Sequence, residues 1–175
     1  MSTAPALLIF DADGTLRWTT VEGGQYPNGP DQWRLMPNVR ETLARVDWRP
    51  GGTRLGIASN QNGVAAGHLS ERMARRLLED TVRAAIGLVP DGAAIEMCVC
   101  PVSAGCACRK PEPGLLLRIL ERTGVDAARA LFVGDLEIDR EAARRAGVPF
   151  AWAADFFGWR SPRGAERSAA HPGPR

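Results

Sequence analysis

The sequence predicts a three-layer α/β fold, a parallel sheet flanked by helices, on three observations. Short apolar runs recur along the chain at Leu7–Phe10, Leu55–Ala58, Ile95–Val99, Ala130–Val133 and Val148–Trp152. Helix-like patterns fall between them, at Val39–Val46, Ser70–Ile86, Pro113–Arg122 and Asp139–Ala146, and strands that alternate with helices build a parallel sheet covered on both faces. Unexpected polar groups stand just after the first four runs: Asp11 and Asp13, then Ser59-Asn60-Gln61, then a cysteine-rich stretch with Arg109-Lys110, then Gly134-Asp135. In open sheets of this kind ligands gather outside the carboxyl ends of the strands, so those positions outline a binding site.

Taken in order, the first run stops at Asp11-Ala12-Asp13-Gly14-Thr15. Residues two apart in an extended segment point to the same side, which brings both carboxylates to one small volume, and Gly14 lets the backbone turn close to it. Like charges so near one another call for a cation or a shared proton. Arg17–Met36 is rich in glycine and proline, contains Trp18, Tyr26 and Trp33, and reads as a long ordered loop over the site. Only 42 residues, Arg17–Ala58, separate the first motif from the end of the second strand, and they must also hold a helix and that strand, so no large cap domain fits. Ser70 and Glu71 open the second helix, Pro113 sits where a first-turn proline is tolerated, and Gly124 and Gly147 stop the last two helices.

All four cysteines fall within eleven residues, Cys98, Cys100, Cys106 and Cys108. A disulfide framework spreads its cysteines along the chain, and a Cys-x-Cys bridge is strained. Two Cys-x-Cys pairs can instead wrap one zinc ion in a closed shell of thiolates. Lys110 is the only lysine among 22 basic residues. A chain that uses arginine for its surface cations and a lysine only here points to a place where a compact ammonium is needed, and Arg109 beside it has the planar fork to hold a substrate anion.

A length of 175 residues suits one domain, expected over residues 1–160 with a zinc loop at 98–108 and a disordered tail at 161–175, where His171 and the arginines take no catalytic role. The net charge of +2 is too small to argue for nucleic acid by bulk electrostatics. No stretch is long and apolar enough for a membrane span and none reads as a signal peptide, so the expected compartment is the cytoplasm, with no membrane partner and a monomeric state.

The order of these motifs resembles the haloacid dehalogenase superfamily of phosphohydrolases, whose Rossmann-like fold carries Asp-x-Asp-Gly-Thr, then a serine, then a lysine, then Gly-Asp at successive strand ends. The resemblance implies a Mg2+-dependent phosphomonoesterase. In it Asp11 attacks phosphorus to form an aspartyl phosphate and Asp13 passes protons, while Thr15, Ser59, Asn60, Arg109 and Lys110 hold the phosphate or substrate. It also implies that Asp11, the backbone carbonyl of Asp13 and Asp135 hold the magnesium. Asp139 either supports this arrangement from behind or serves as a helix N-terminal charge. Cys106-Ala107-Cys108-Arg109-Lys110-Pro111 narrows the likeness to the capless histidinol-phosphate and heptose-bisphosphate phosphatases, with Cys98 and Cys100 where those enzymes often have Cys-x-His. Gln32–Pro37 and Ala146–Trp159 resemble polynucleotide 3′-phosphatase domains instead, and there Trp18, Trp33 and Trp159 would stack on bases or else simply pack. The expected substrate is a small phosphorylated metabolite such as a heptose bisphosphate. A nucleic acid 3′-phosphate is the alternative, and a non-catalytic anion- or partner-binding module is a third reading.

Overall fold

The computed structural model describes residues 4–159; the expected tail at 161–175 lies outside them. Five strands, β1 (Leu7–Phe10), β4 (Arg54–Asn60), β5 (Ala94–Cys98), β6 (Ala130–Gly134) and β7 (Phe150–Trp152), form one sheet in the order β5-β4-β1-β6-β7. Every pairing is parallel. Because β1 is central, the chain first winds outward through β4 to β5 and then returns to lay β6 on the other side of β1. That reversal opens a crevice at the carboxyl ends of β1 and β6.

Alternation along β1 creates the layers. Leu8 and Phe10 face a core with Val39 and Leu43 of α1 (Val39–Leu43) and with Leu78 and Val82 of α3 (Glu71–Ile86). Leu7 and Ile9 face a second core with Leu115 and Ile119 of α4 (Gly114–Thr123) and Ala142 and Ala143 of α5 (Glu137–Ala146). All four β1 side chains are buried, and each such burial is worth about 1.5–3 kcal/mol. The strand that leads into the paired aspartates is therefore buried along its whole length and paired on both sides.

The helix signals act as their chemistry requires. Ser70 Oγ accepts from the Met73 N–H at 3.2 Å to cap α3, and Gly124 and Gly147 end α4 and α5 with φ of 63° and 70°. Pro113 stands one position before α4 rather than within its first turn. Helix α1 stops at Leu43, where the Trp48 indole N–H donates to the Leu43 carbonyl at 3.0 Å. The second run extends as β4 through Ser59 and Asn60, and Gln61 N–H still bonds the Cys98 carbonyl at 2.8 Å.

The segment expected as a loop departs most from expectation. Its two ends pair as an antiparallel hairpin, β2 (Arg17–Thr19) on β3 (Trp33–Leu35). Trp33 packs with Leu69, Ala74 and Leu77, so the hairpin leans on α3. Between its strands Tyr26 lies against Gly63 of α2 (Asn62–Ala65), where a Cβ would come within 2.8 Å of the ring. A last short helix, α6 (Ala153–Phe156), follows β7 and brings Phe156 and Phe157 against Phe10. Among the described residues no helix is long and apolar enough to cross a membrane.

Candidate active site

The loop after β1 wraps around one carbonyl. Ala12 O accepts from the N–H groups of Thr15, Leu16 and Arg17, and Gly14 N–H donates to Arg17 O at 2.7 Å. Gly14 holds φ of 96°, and a Cβ on it would fall 2.3 Å from Asp135 Oδ2. A glycine is thus needed twice over, for the backbone angle and for the close approach of β6's aspartate.

Four carboxylates and two buried cations divide the space. Lys110 Nζ lies 2.6 Å from Asp11 Oδ1 and 2.6 Å from Asp139 Oδ1. Asp139 Oδ1 makes no aligned hydrogen bond, so it acts on the ammonium as a nearby charge, while Asp139 Oδ2 accepts the Leu136 N–H at 3.0 Å at the start of α5. Asp139 thus stands both beside the Lys110 ammonium and at the start of α5. The Asp139 side chain fits because residue 134 is glycine, where a Cβ would come within 2.6 Å of Asp139 Cβ. Thr15 Oγ1 donates to Asp135 Oδ1 at 2.9 Å.

Asp13 turns to the other cation. Arg17, fully buried, donates from Nε to Asp13 Oδ1 at 2.7 Å and from NH2 to Asp13 Oδ2 at 3.3 Å, and its NH1 reaches Thr81 Oγ1 on α3 at 3.1 Å. Gln61 Nε2 donates to Ser59 Oγ at 2.8 Å and to Asp13 Oδ2 at 3.3 Å. Neither Arg17 nor Gln61 was assigned a role from sequence. Arg17 is hidden among 22 basic residues, and its spacing of four from Asp13 is the one signal that marks it.

The side chains of two expected phosphate ligands are engaged within the protein. Asn60 uses both ends of its side-chain amide on Lys110, accepting its N–H and donating to its carbonyl, each at 3.0 Å. Thr15 is fully buried on Asp135. Arg109 spans Asn62 Oδ1 at 2.7 Å and the Cys100 carbonyl, and its Nε has no partner among the described residues.

The electrostatics follow from burial. Burial pushes the Asp11 carboxyl well above its usual range; the Lys110 ammonium opposes this, and the charges of Asp139 and Asp135 add to it. Burial alone would lower the Lys110 ammonium, but Asp11 and Asp139 outweigh it and hold it above its ordinary value. Carboxylate oxygens of Asp11, Asp135 and Asp139 lie within 4.8 Å of one another. So many oxygen donors around a single ammonium suit a hard divalent cation.

The four cysteines, all free thiols, close into a second cluster beside this one. Four of the six sulfur pairs stand 3.1–3.7 Å apart, against about 3.8 Å for tetrahedral thiolates at zinc–sulfur distances of about 2.3 Å. Hydrogen bonding from Cys108 pulls the Cys106 thiol down to about 6, whereas burial pushes Cys98 far up. Cys98 ends β5 and Arg109-Lys110 follow Cys108, so the cluster ties an edge strand to the residue that carries Lys110.

Comparison with known proteins agrees with this geometry. The family model of haloacid dehalogenase-like hydrolases matches residues 18–147, a span that holds Ser59, Lys110, Asp135 and Asp139. A D-glycero-beta-D-manno-heptose-1,7-bisphosphate 7-phosphatase of Pseudomonas aeruginosa is 36% identical over 145 residues, 79% of this chain and 75% of the relative. The enzyme of that name from Bordetella bronchiseptica is 35% identical over 147 residues, 81% of this chain and 76% of the relative. A crystal structure of D,D-heptose 1,7-bisphosphate phosphatase from B. bronchiseptica, complexed with magnesium and phosphate, superposes with a TM-score of 0.69 at 31% identity, covering 82% of this chain and 78% of that one. With its parallel sheet, its aspartate-bearing strand ends and these relatives, the chain belongs to the haloacid dehalogenase-like hydrolases and is a phosphatase of that superfamily.

Proposed function

We propose that this phosphatase hydrolyses one phosphate ester of a heptose bisphosphate or a closely related sugar phosphate, and that Asp11 is its nucleophile. The observation that carries the reading is the buried group of Asp11, Asp135 and Lys110 at the sheet crevice, in a chain whose relatives with that specificity share about four-fifths of its length. Asp11 and Asp135, with the Asp13 carbonyl, would hold magnesium, which when bound offsets charge on nucleophile and phosphate.

The chain's own groups account for the proton and bond changes. An Asp11 oxygen forms a bond to phosphorus as the bond to the ester oxygen breaks, and the leaving oxygen takes a proton from Asp13. Water then attacks the aspartyl phosphate, gives its proton back to Asp13, and frees Asp11 and inorganic phosphate. Lys110, 2.6 Å from Asp11, would offer its ammonium to the phosphoryl oxygens. Ser59, accepting from Gln61, retains its own O–H to donate to the phosphoryl group. Asn60 acts through Lys110, whose backbone it fixes. Trp18, Trp33 and Trp159 pack against the cores, each partly buried, so a large part of each ring serves packing.

A panel of phosphorylated sugars assayed with magnesium tests the substrate. Phosphate release from a heptose 1,7-bisphosphate ahead of the other sugar phosphates is the expected result. Release from a 3′-phosphorylated oligonucleotide with no activity on any sugar would overturn it.

Zinc in the cysteine cluster is proposed to brace the loop that carries Lys110. Metal analysis of protein purified without chelator is expected to give one zinc per chain. Cys108→Ser should remove it and lower unfolding stability by about 2–4 kcal/mol, the scale of a cross-link closing a short loop. A zinc-free wild type would refute the staple.

A further inference from the structure

Each of the two catalytic aspartates has its own buried cation. Lys110 serves Asp11 at 2.6 Å. Arg17 serves Asp13, and nothing in the assigned chemistry explains why so large a charge is enclosed there, fully shielded from solvent. An arginine buried for stability alone is a poor arrangement, because desolvating the ion pair offsets most of its attraction and a well-packed apolar side chain does as well. What a guanidinium fork supplies that an apolar group cannot is a fixed orientation for a carboxylate.

The surroundings are built for that purpose. Arg17 is held at its backbone, where its N–H bonds Ala12 O and its carbonyl accepts Gly14 N–H. Its NH1 is held by Thr81, whose hydroxyl in turn donates to Leu77 O at 2.7 Å within α3. The guanidinium therefore cannot swing, and it approaches the two carboxylate oxygens unequally. Oδ1 takes the short bond of 2.7 Å from Nε. Oδ2 has only contacts of 3.3 Å, one from NH2 and one from Gln61. A proton exchanged with the leaving group or with water must reside on an oxygen that can release its present donors, and that oxygen is Oδ2.

We propose that Arg17 is the positioning residue of the proton-transferring aspartate: locked by Thr81, it clamps Asp13 Oδ1 and aims Oδ2 at the scissile oxygen. The inference rests on the reading of Asp13 as the proton carrier. It predicts a loss that depends on the leaving group. An alkyl phosphate needs the proton to expel its alkoxide; a nitrophenyl phosphate, whose phenolate leaves unaided, does not.

The experiment compares Arg17→Met, Arg17→Lys, Thr81→Val and Asp13→Asn with wild type on a sugar phosphate and on p-nitrophenyl phosphate, with kcat and KM separated. Removing a positioned general acid is worth about 10²–10⁴ in rate. Arg17→Met is expected to lose about 10²-fold in kcat/KM on the sugar phosphate, the quantity that reports the first transfer, and much less in kcat/KM on the aryl ester, while kcat falls on both because Asp13 also serves the attack of water. Arg17→Lys, which retains charge without the fork, should recover only part. Thr81→Val, a milder change for the case where Arg17→Met does not fold, should show the same selectivity at smaller amplitude. Equal losses of kcat/KM on both substrates, or none, in Arg17→Met and Thr81→Val while Asp13→Asn remains selective in kcat/KM would overturn the role of Arg17. An Asp13→Asn variant that loses nothing on the sugar phosphate would overturn the reading of Asp13 instead.

Discussion

Asp11→Asn is expected to abolish turnover, lowering phosphate release by on the order of 10⁴-fold or more, the scale on which loss of a covalent nucleophile acts. The amide has nearly the same shape, so its effect on folding can be argued separately. The fold raises the Asp11 carboxyl above its unfolded value, first by burial and then by Asp139 and Asp135, with Lys110 only partly compensating. A carboxyl raised in this sense binds its proton more tightly when folded. Stability without metal therefore falls as pH rises from the unfolded value of about 4 towards the folded one. At pH 7 the metal-free wild type carries that penalty and the asparagine variant does not. Thermal unfolding in chelator should find the inactive variant at least as stable as wild type, with magnesium stabilising only the latter. Residual activity within tenfold of wild type would remove Asp11 from the nucleophile's position.

Lys110→Met is expected to fail in the opposite way, in stability as well as in rate. The ammonium is enclosed between Asp11 and Asp139, and removing one partner from a buried charge group costs about 3–5 kcal/mol. Since the Lys110 ammonium is held above its usual value, its contribution is complete below the unfolded lysine value of about 10.4 and is lost only at higher pH. The ammonium therefore keeps its proton across the neutral range. In the variant, falling pH lets Asp11 take up a proton, so the defect should shrink towards pH 5. Urea unfolding at pH 7 and pH 5 measures both quantities, and a variant as stable as wild type at pH 7 would show that the carboxylates do not depend on this cation.

The strands and the ends that carry chemistry were legible because each is a local pattern: an apolar run, then a polar group that a sheet strand has no use for. Asp11, Lys110, Asp135 and Asp139 do converge, as the parallel fold required. What could not be read was pairing across distance. The hairpin joins three-residue strands through a long glycine- and proline-rich turn, too short for any periodicity. Thr15 and Asn60 looked like phosphate ligands from their place in the motifs, yet their partners are Asp135 and the Lys110 backbone, 120 and 50 residues away. Arg17 is the sharpest case, since its burial depends on Thr81, 64 residues on in α3. No local pattern separates such an arginine from a solvated one.

The enclosure of Lys110 has a consequence for chemical probing. The only side-chain amine of the whole chain lies inside, 3% exposed, so an acylating reagent finds no ε-amine on the surface of the native protein. Modification at this residue reports how often the crevice opens, and through Asn60 and the cysteine loop it reports the movement of two strand ends together. Without any added label, the molecule carries a reporter of its own breathing at the crevice between β1 and β6.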